Sequence, residues 1–196
     1  MQSIFTSQTP TTQGNDGPYS LGTIFYSDVP GFVFGVRWYA PVALPSGTVT
    51  GALFSVTDNA TGILLQQVNF GPLVANTWNE VLFPLAQVIL PNPQLYVTTV
   101  LIADNYAATP LFFLGQQVTN GHLTAIQDQT APFATIENGK FHVGAALTYP
   151  EDSFGGGLYF VDTLFDTVLP GGGHAHGHHQ QHRSAIPMMS LGVGLE

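Results

Sequence analysis

The sequence predicts an all-β sandwich. Six stretches carry strand character with turn residues between them, and no stretch shows an N-cap followed by a three-to-four apolar repeat. A helix-containing α+β fold is the alternative. The organising stretch is Ser20 to Tyr39, SLGTIFYSDVPGFVFGVRWY, two strands joined by one turn at Asp28, Pro30 and Gly31. In its second strand, strict alternation puts Phe32, Phe34, Val36 and Trp38 on one face. Val33, Gly35, Arg37 and Tyr39 then fall on the other.

The other elements follow in chain order. Ile4 and Phe5 suggest a short edge strand, followed by the polar, turn-rich segment TPTTQGNDGP. Ala40 to Gly47 holds two prolines and reads as a loop. Thr48 to Thr57 is a strand, Thr57 to Gly62 (TDNATG) has hairpin chemistry, and Ile63 to Phe70 returns as a strand. Gly71 to Thr77 is a turn, and Trp78 to Phe83 alternates as a strand. Pro91-Asn92-Pro93 breaks the chain before the β-branched run Leu95 to Ile102. From Asp104 to Pro150 turn residues are dense and long loops are expected, with an apolar stretch at Leu111 to Leu114 and short strands near Ala125-Ile126 and Phe141 to Val143. Phe154 to Phe165 (FGGGLYFVDTLF) reads as a final strand after a glycine hinge, with Leu158, Phe160, Asp162 and Leu164 on one face.

Domain organisation follows from composition. The 196 residues suffice for one sandwich domain with a full core, residues 1–168, and 44% apolar content makes it globular. Residues 169–196 form a Gly/His-rich extended C-terminal tail, GGGHAHGHHQQH followed by RSAIPMMSLGVGLE. That tail is expected to be held by a neighbouring subunit.

Charge excludes several functions. Net charge is −9, and Arg37, Lys140 and Arg183 are the only basic residues besides histidine. Neither the basic patch of a nucleic-acid binder nor a polybasic membrane anchor is available. No apolar run reaches membrane-spanning length. No cysteine is present, which removes disulfides and thiolate metal sites. The N-terminus MQSIFTSQTP lacks the basic and apolar regions of a secretory signal. Only 8% of residues are charged, so the surface is either Thr/Gln-rich or covered by partners in an assembly.

A set of ordered motifs resembles a known family. L-G-x-x-F at Leu21 to Phe25, G-x-R-W-Y at Gly35 to Tyr39 and G-A-L-F at Gly51 to Phe54 come first. T-G-x-L-L at Thr61 to Leu65, W-N-E-V-x-F at Trp78 to Phe83 and Y-F-V-D at Tyr159 to Asp162 follow. From about Ile4 to Phe165 the chain is similar to an uncharacterised family of bacterial β-sandwich modules. Ala75-Asn76-Thr77 stands where that family usually has glycine before Trp78, and Gly121-His122 is what remains of a G-H-Y segment. The resemblance implies a jelly-roll-like antiparallel sandwich. It also implies a non-catalytic role, either beside carbohydrate-active and adhesive domains of surface proteins or in phage virions.

Candidate chemistry is sparse. Arg37 and Asp162 each sit in an apolar strand and are expected to form a structural ion pair, since either one buried alone would cost about 3–5 kcal/mol. His174, His176, His178, His179 and His182 alternate so that several imidazoles could share a metal, yet no carboxylate or cysteine completes a site within one chain. No cofactor is expected. Asn59-Ala60-Thr61 fits a glycosylation sequon but reads as turn chemistry. Trp78, Tyr106, Phe112 and Phe113 are candidates for an aromatic sugar platform, with Trp78 better placed in the core. Nucleophile, zinc, phosphate-loop and calcium-loop motifs are absent, and the neighbours Glu151 and Asp152 point to opposite faces of extended chain, so no enzyme is expected. The expected role is a structural subunit of a bacteriophage virion, head-decoration or minor tail. Its N-terminal arm and C-terminal tail would dock on neighbouring virion subunits, and it would self-associate, as a trimer. The alternative is a glycan-binding or adhesion module, extracellular or on a bacterial surface.

Overall fold

Among the described residues every paired strand is antiparallel, and most lie in two sheets that face each other. The computed structural model describes residues 1–169; the histidine tract and the rest of the tail lie outside the described residues. In chain order the strands are β1 (Thr12–Gly14), β2 (Tyr19–Ser27), β3 (Gly31–Ala40), β4 (Thr50–Val56), β5 (Gly62–Asn69), β6 (Thr77–Ile89) and β7 (Tyr96–Ile102). β8 (Tyr106–Ala108), β9 (Val118–Asn120), β10 (Leu123–Ala125), β11 (Lys140–Val143), β12 (Asp152–Ser153) and β13 (Val161–Asp166) complete them. The larger sheet runs β12-β11-β2-β7-β4-β5, with β10 also on β2 and β9 on β10. The smaller runs β13-β3-β6, and β1 pairs with β8. The fold is an all-β, jelly-roll-like sandwich.

β2 and β3 are the two strands joined by one turn that the sequence predicts; they lie in different sheets, and the turn carries the chain across the sandwich. The β4–β5 turn, by contrast, closes a true hairpin. Turn residues mark where a strand stops; which sheet receives the next strand depends on which apolar face needs covering.

The main core lies between the sheets, and the strict alternation expected for β3 fails there. Val33, Val36, Trp38 and Ala40 all reach this core. Val33 and Val36 are three apart, so one residue must be inserted between them, and the register indeed breaks between Val33 and Gly35. Such a bulge re-phases the strand. Phe34 sits at the break with its ring tilted against half-buried Phe32, the centroids 6.3 Å apart. On β6 the same break carries the chain through Pro84, and β6 therefore extends six residues past Phe83. A Cβ at Gly35 would lie 2.0 Å from the Val81 carbonyl oxygen, so only glycine fits where the two backbones close up.

The final strand is shorter than expected. β13 begins at Val161, because Phe160 takes a left-handed φ of 54°. That turn breaks the alternation: Leu158, Phe160, Val161 and Phe165 are core, while Asp162 points elsewhere. At the N-terminus Gln2 exchanges hydrogen bonds with Phe165, its N–H donating at 2.6 Å and its carbonyl accepting at 2.9 Å. Ile4 and Phe5 beyond it form no strand, though both are buried.

The turn-dense region after Asp104 roofs the outer face of the larger sheet. Ile24, Ala52, Phe54 and Val97 project from β2, β4 and β7 away from the main core and, with Leu95 just before β7, are covered by Ile126, Phe133, Ile136, Leu147 and Tyr149. Asn138 pins this roof. β11 pairs with β2 as far as Gly22, and β10 takes over at Phe25. In the gap, the buried Asn138 amide accepts from Ile24 N–H at 2.8 Å and donates to the Ile24 carbonyl at 3.0 Å. It also donates to the Ile126 carbonyl at 2.7 Å. One side chain thus stands in for a missing strand residue.

Candidate functional site

Arg37 and Asp162 face each other across β3 and β13, with Arg37 Nε donating to Asp162 Oδ2 at 2.9 Å. The carboxylate has further partners. Ile4 N–H and Thr163 N–H donate to Oδ1 at 2.9 and 2.7 Å, and Phe5 N–H donates to Oδ2 at 3.0 Å. Arg37 Nη2 donates to the Phe5 carbonyl, and the guanidinium lies 4.1 Å from the centre of the Trp78 ring. Burial pushes the Asp162 carboxyl up, against the pull of Arg37 and the three backbone donors. All its lone pairs face protein donors, so the pair is a clasp that fastens the N-terminal segment over the smaller sheet.

A groove opens where β2, β8 and β11 meet the loop before β13. It encloses about 240 Å³ and is lined by Asp16, Tyr19, Tyr106, Phe141, Phe154 and Tyr159, with Leu21 at its base. The rings meet edge to face: Tyr19 is 5.8 Å from Tyr106 and 6.1 Å from Phe141, and Tyr106 is 5.9 Å from Tyr159. Phe154 stands on the lip, 75% exposed. Tyr106 donates its hydroxyl to Asp16 Oδ1 at 3.0 Å.

The electrostatics of the groove are set by burial and by Asp16. Burial pushes the Tyr159 phenol up to about 12, helped by Tyr19 and Asp16. Burial and then Asp16 raise Tyr106 and Tyr19 in the same direction. These phenols stay protonated and serve as hydrogen-bond donors. Asp16 is the one carboxylate lining the groove among the described residues, so there is no second acid for paired proton transfer there. Aromatic edges and faces, neutral hydroxyls and one carboxylate suit a neutral, ring-shaped, polyhydroxylated ligand.

Of the four aromatic residues singled out from sequence, only Tyr106 lines this groove. Trp78 packs against Phe5, Tyr39 and Phe160, Phe113 is fully buried, and Phe112 leans on Phe113 in a short 3-10 turn. Asp16, Tyr19, Phe141, Phe154 and Tyr159 went unread, although Phe154 in the glycine run SFGGG carried a signal, being a large aromatic where no core strand continues. Gly121-His122 places His122 Nδ1 2.7 Å from Asp28 Oδ1, and His142 Nδ1 lies 2.8 Å from Glu151 Oε1. Among the described residues no three metal-ligating side chains cluster.

No curated protein matches the sequence. A family profile does, over residues 6–161, from just after the clasped N-terminal residues to the first residue of β13. By that match the chain belongs to the uncharacterised family described as domain of unknown function DUF4082.

Proposed function

We propose that the protein is a non-catalytic structural subunit of a bacteriophage virion, a head-decoration or minor tail component, that self-associates through the edge of its smaller sheet left unpaired among the described residues. One observation carries this reading. β6 ends the β13-β3-β6 order, and Leu82, Leu85 and Val88 on it, with Leu90 just beyond, are all more than half exposed. An edge strand so apolar is an aggregation hazard unless a partner covers it. The charge-poor composition points the same way, and a second copy, in a trimer, is the proposed occupant. Antibodies raised against the purified chain test the location. Labelling of heads or tails in micrographs of virions from the host strain is expected; labelling of the bacterial surface alone overturns it.

The aromatic groove favours a second reading, a glycan-binding or adhesion module. On that reading Phe154→Ala abolishes binding on a glycan array while stability stays within about 0.5 kcal/mol, because Phe154 is largely exposed. A wild-type chain that binds no glycan on the array removes this reading.

A further inference from the structure

The sequence has a single lysine, and it is fully buried. Lys140 Nζ, at the start of β11, reaches the β4–β5 turn. It lies 3.3 Å from Asn59 Oδ1, 3.0 Å from the Asn59 carbonyl oxygen and 2.6 Å from the Glu151 carbonyl oxygen. The Asn59 carboxamide is itself held from the far side by Glu137. Its Nδ2 donates to Glu137 Oε2 at 3.0 Å, and its Oδ1 accepts the Glu137 backbone N–H at 2.8 Å.

The three groups that amide transfer requires meet here. The amine sits beside the side-chain carbonyl, the nitrogen that would leave donates to the Glu137 carboxylate, and the oxygen that would gain charge already has a backbone donor. We propose that Lys140 and Asn59 join in an intramolecular isopeptide bond, with Glu137 as the proton carrier.

The step balances without a co-reactant. Glu137, which stands outside ion-pair reach of Nζ and must turn toward it, takes one proton from the Lys140 ammonium. The freed Nζ lone pair attacks Asn59 Cγ, and the carbonyl π pair moves onto Oδ1. The surplus proton on Nζ passes to Nδ2. The pair on Oδ1 returns, the Cγ–Nδ2 bond breaks, and ammonia leaves, taking the first proton from Glu137. Burial favours the neutral amine that attacks by lowering the Lys140 pKa, and of the four opposing carboxylates Glu137 acts most strongly, ahead of Asp152, Asp128 and Glu151. The bond would tie residues 81 apart and fasten the roof segment to the hairpin beneath it. For a subunit exposed to mechanical load, that is a covalent lock made from the chain alone.

Intact-mass spectrometry of the purified, denatured full chain tests this. The expected mass is lower than the sequence mass by one ammonia, about 17 Da, and a peptic digest should yield a branched peptide joining Asn59 to Lys140. Glu137→Ala and Asn59→Ala should each restore the sequence mass, with circular dichroism reporting whether the sheets persist. Asn59→Asp, which keeps the electrophile, should bond with loss of water. A folded wild-type chain at its full sequence mass overturns the proposal and leaves the three groups as a hydrogen-bonded ammonium site. A loss carried by a linear peptide, such as a succinimide at Asn138-Gly139, overturns it equally.

Discussion

Replacing Asp162 with alanine should cost more stability than replacing its partner Arg37. Asp162→Ala strands three buried N–H groups, those of Ile4, Phe5 and Thr163, and leaves the guanidinium without its carboxylate. Removing one partner of a buried pair costs about 3–5 kcal/mol. Each orphaned buried donor adds about 1 kcal/mol or more, less whatever relaxation of the N-terminal segment recovers. The Arg37 side chain is 14% exposed and keeps its bond to the Phe5 carbonyl, which offsets part of the loss. A total of about 5 kcal/mol is expected, which approaches the whole stability of a marginal domain. Arg37→Met leaves the carboxylate three backbone donors and should cost only about 2–3 kcal/mol. In the double variant no charge is stranded, so the cost should fall short of the sum by about 1–3 kcal/mol. Urea unfolding followed by tryptophan fluorescence measures all three, since Trp78 lies against the guanidinium. Arg37→Met costing as much as Asp162→Ala, or Asp162→Ala costing under about 1 kcal/mol, would refute the clasp.

Gly35→Ala forces a methyl group against the Val81 carbonyl and should destabilise by about 3 kcal/mol in the same urea assay, through separation of β3 from β6. Asn138→Ala leaves the Ile24 and Gly139 N–H groups and the Ile126 carbonyl without the Asn138 amide, while the Ile24 carbonyl keeps the Ile126 N–H, and should cost about 3 kcal/mol. Protection of the Ile24 amide from hydrogen exchange should fall with it. Alkaline pH should unfold the protein through its buried phenols. Tyr159, pushed up to about 12, binds its proton more tightly folded than unfolded. Its contribution is therefore complete below pH about 10 and is lost as pH rises from about 10 through about 12. Phenolate absorbance should show some of the seven tyrosines ionising only as the sheets unfold; all seven titrating near pH 10 in a folded chain would contradict this.

Much of the fold is written locally. β4, β5 and β7 are readable because β-branched and apolar residues run between strong turn signals, and TDNATG encodes its hairpin outright. The sheet assignment of β2 and β3 is not local, since Asp28, Pro30 and Gly31 specify a turn but not whether its strands pair or part. The bulge at Phe34 is equally hidden. A period-two reading has no means of placing an extra residue, and the one trace of it is Gly35, whose necessity comes from Val81 on another strand. Arg37 and Asp162 stand out in sequence as charges in apolar strands. Their third partner, the backbone of Ile4 and Phe5, carries no side-chain signature. The groove is least legible, because Asp16, Tyr19, Tyr106, Phe141, Phe154 and Tyr159 come from separate segments that meet only when the sandwich closes.

Sedimentation of the full chain, alone and with Leu85→Lys and Val88→Lys combined, probes most directly whether the β6 edge is an assembly surface. Three times the chain mass is expected for the wild type, and the single chain mass for the variant, with an unchanged circular dichroism spectrum. A wild-type chain that remains a monomer at high concentration, or a variant that associates as before, would contradict it.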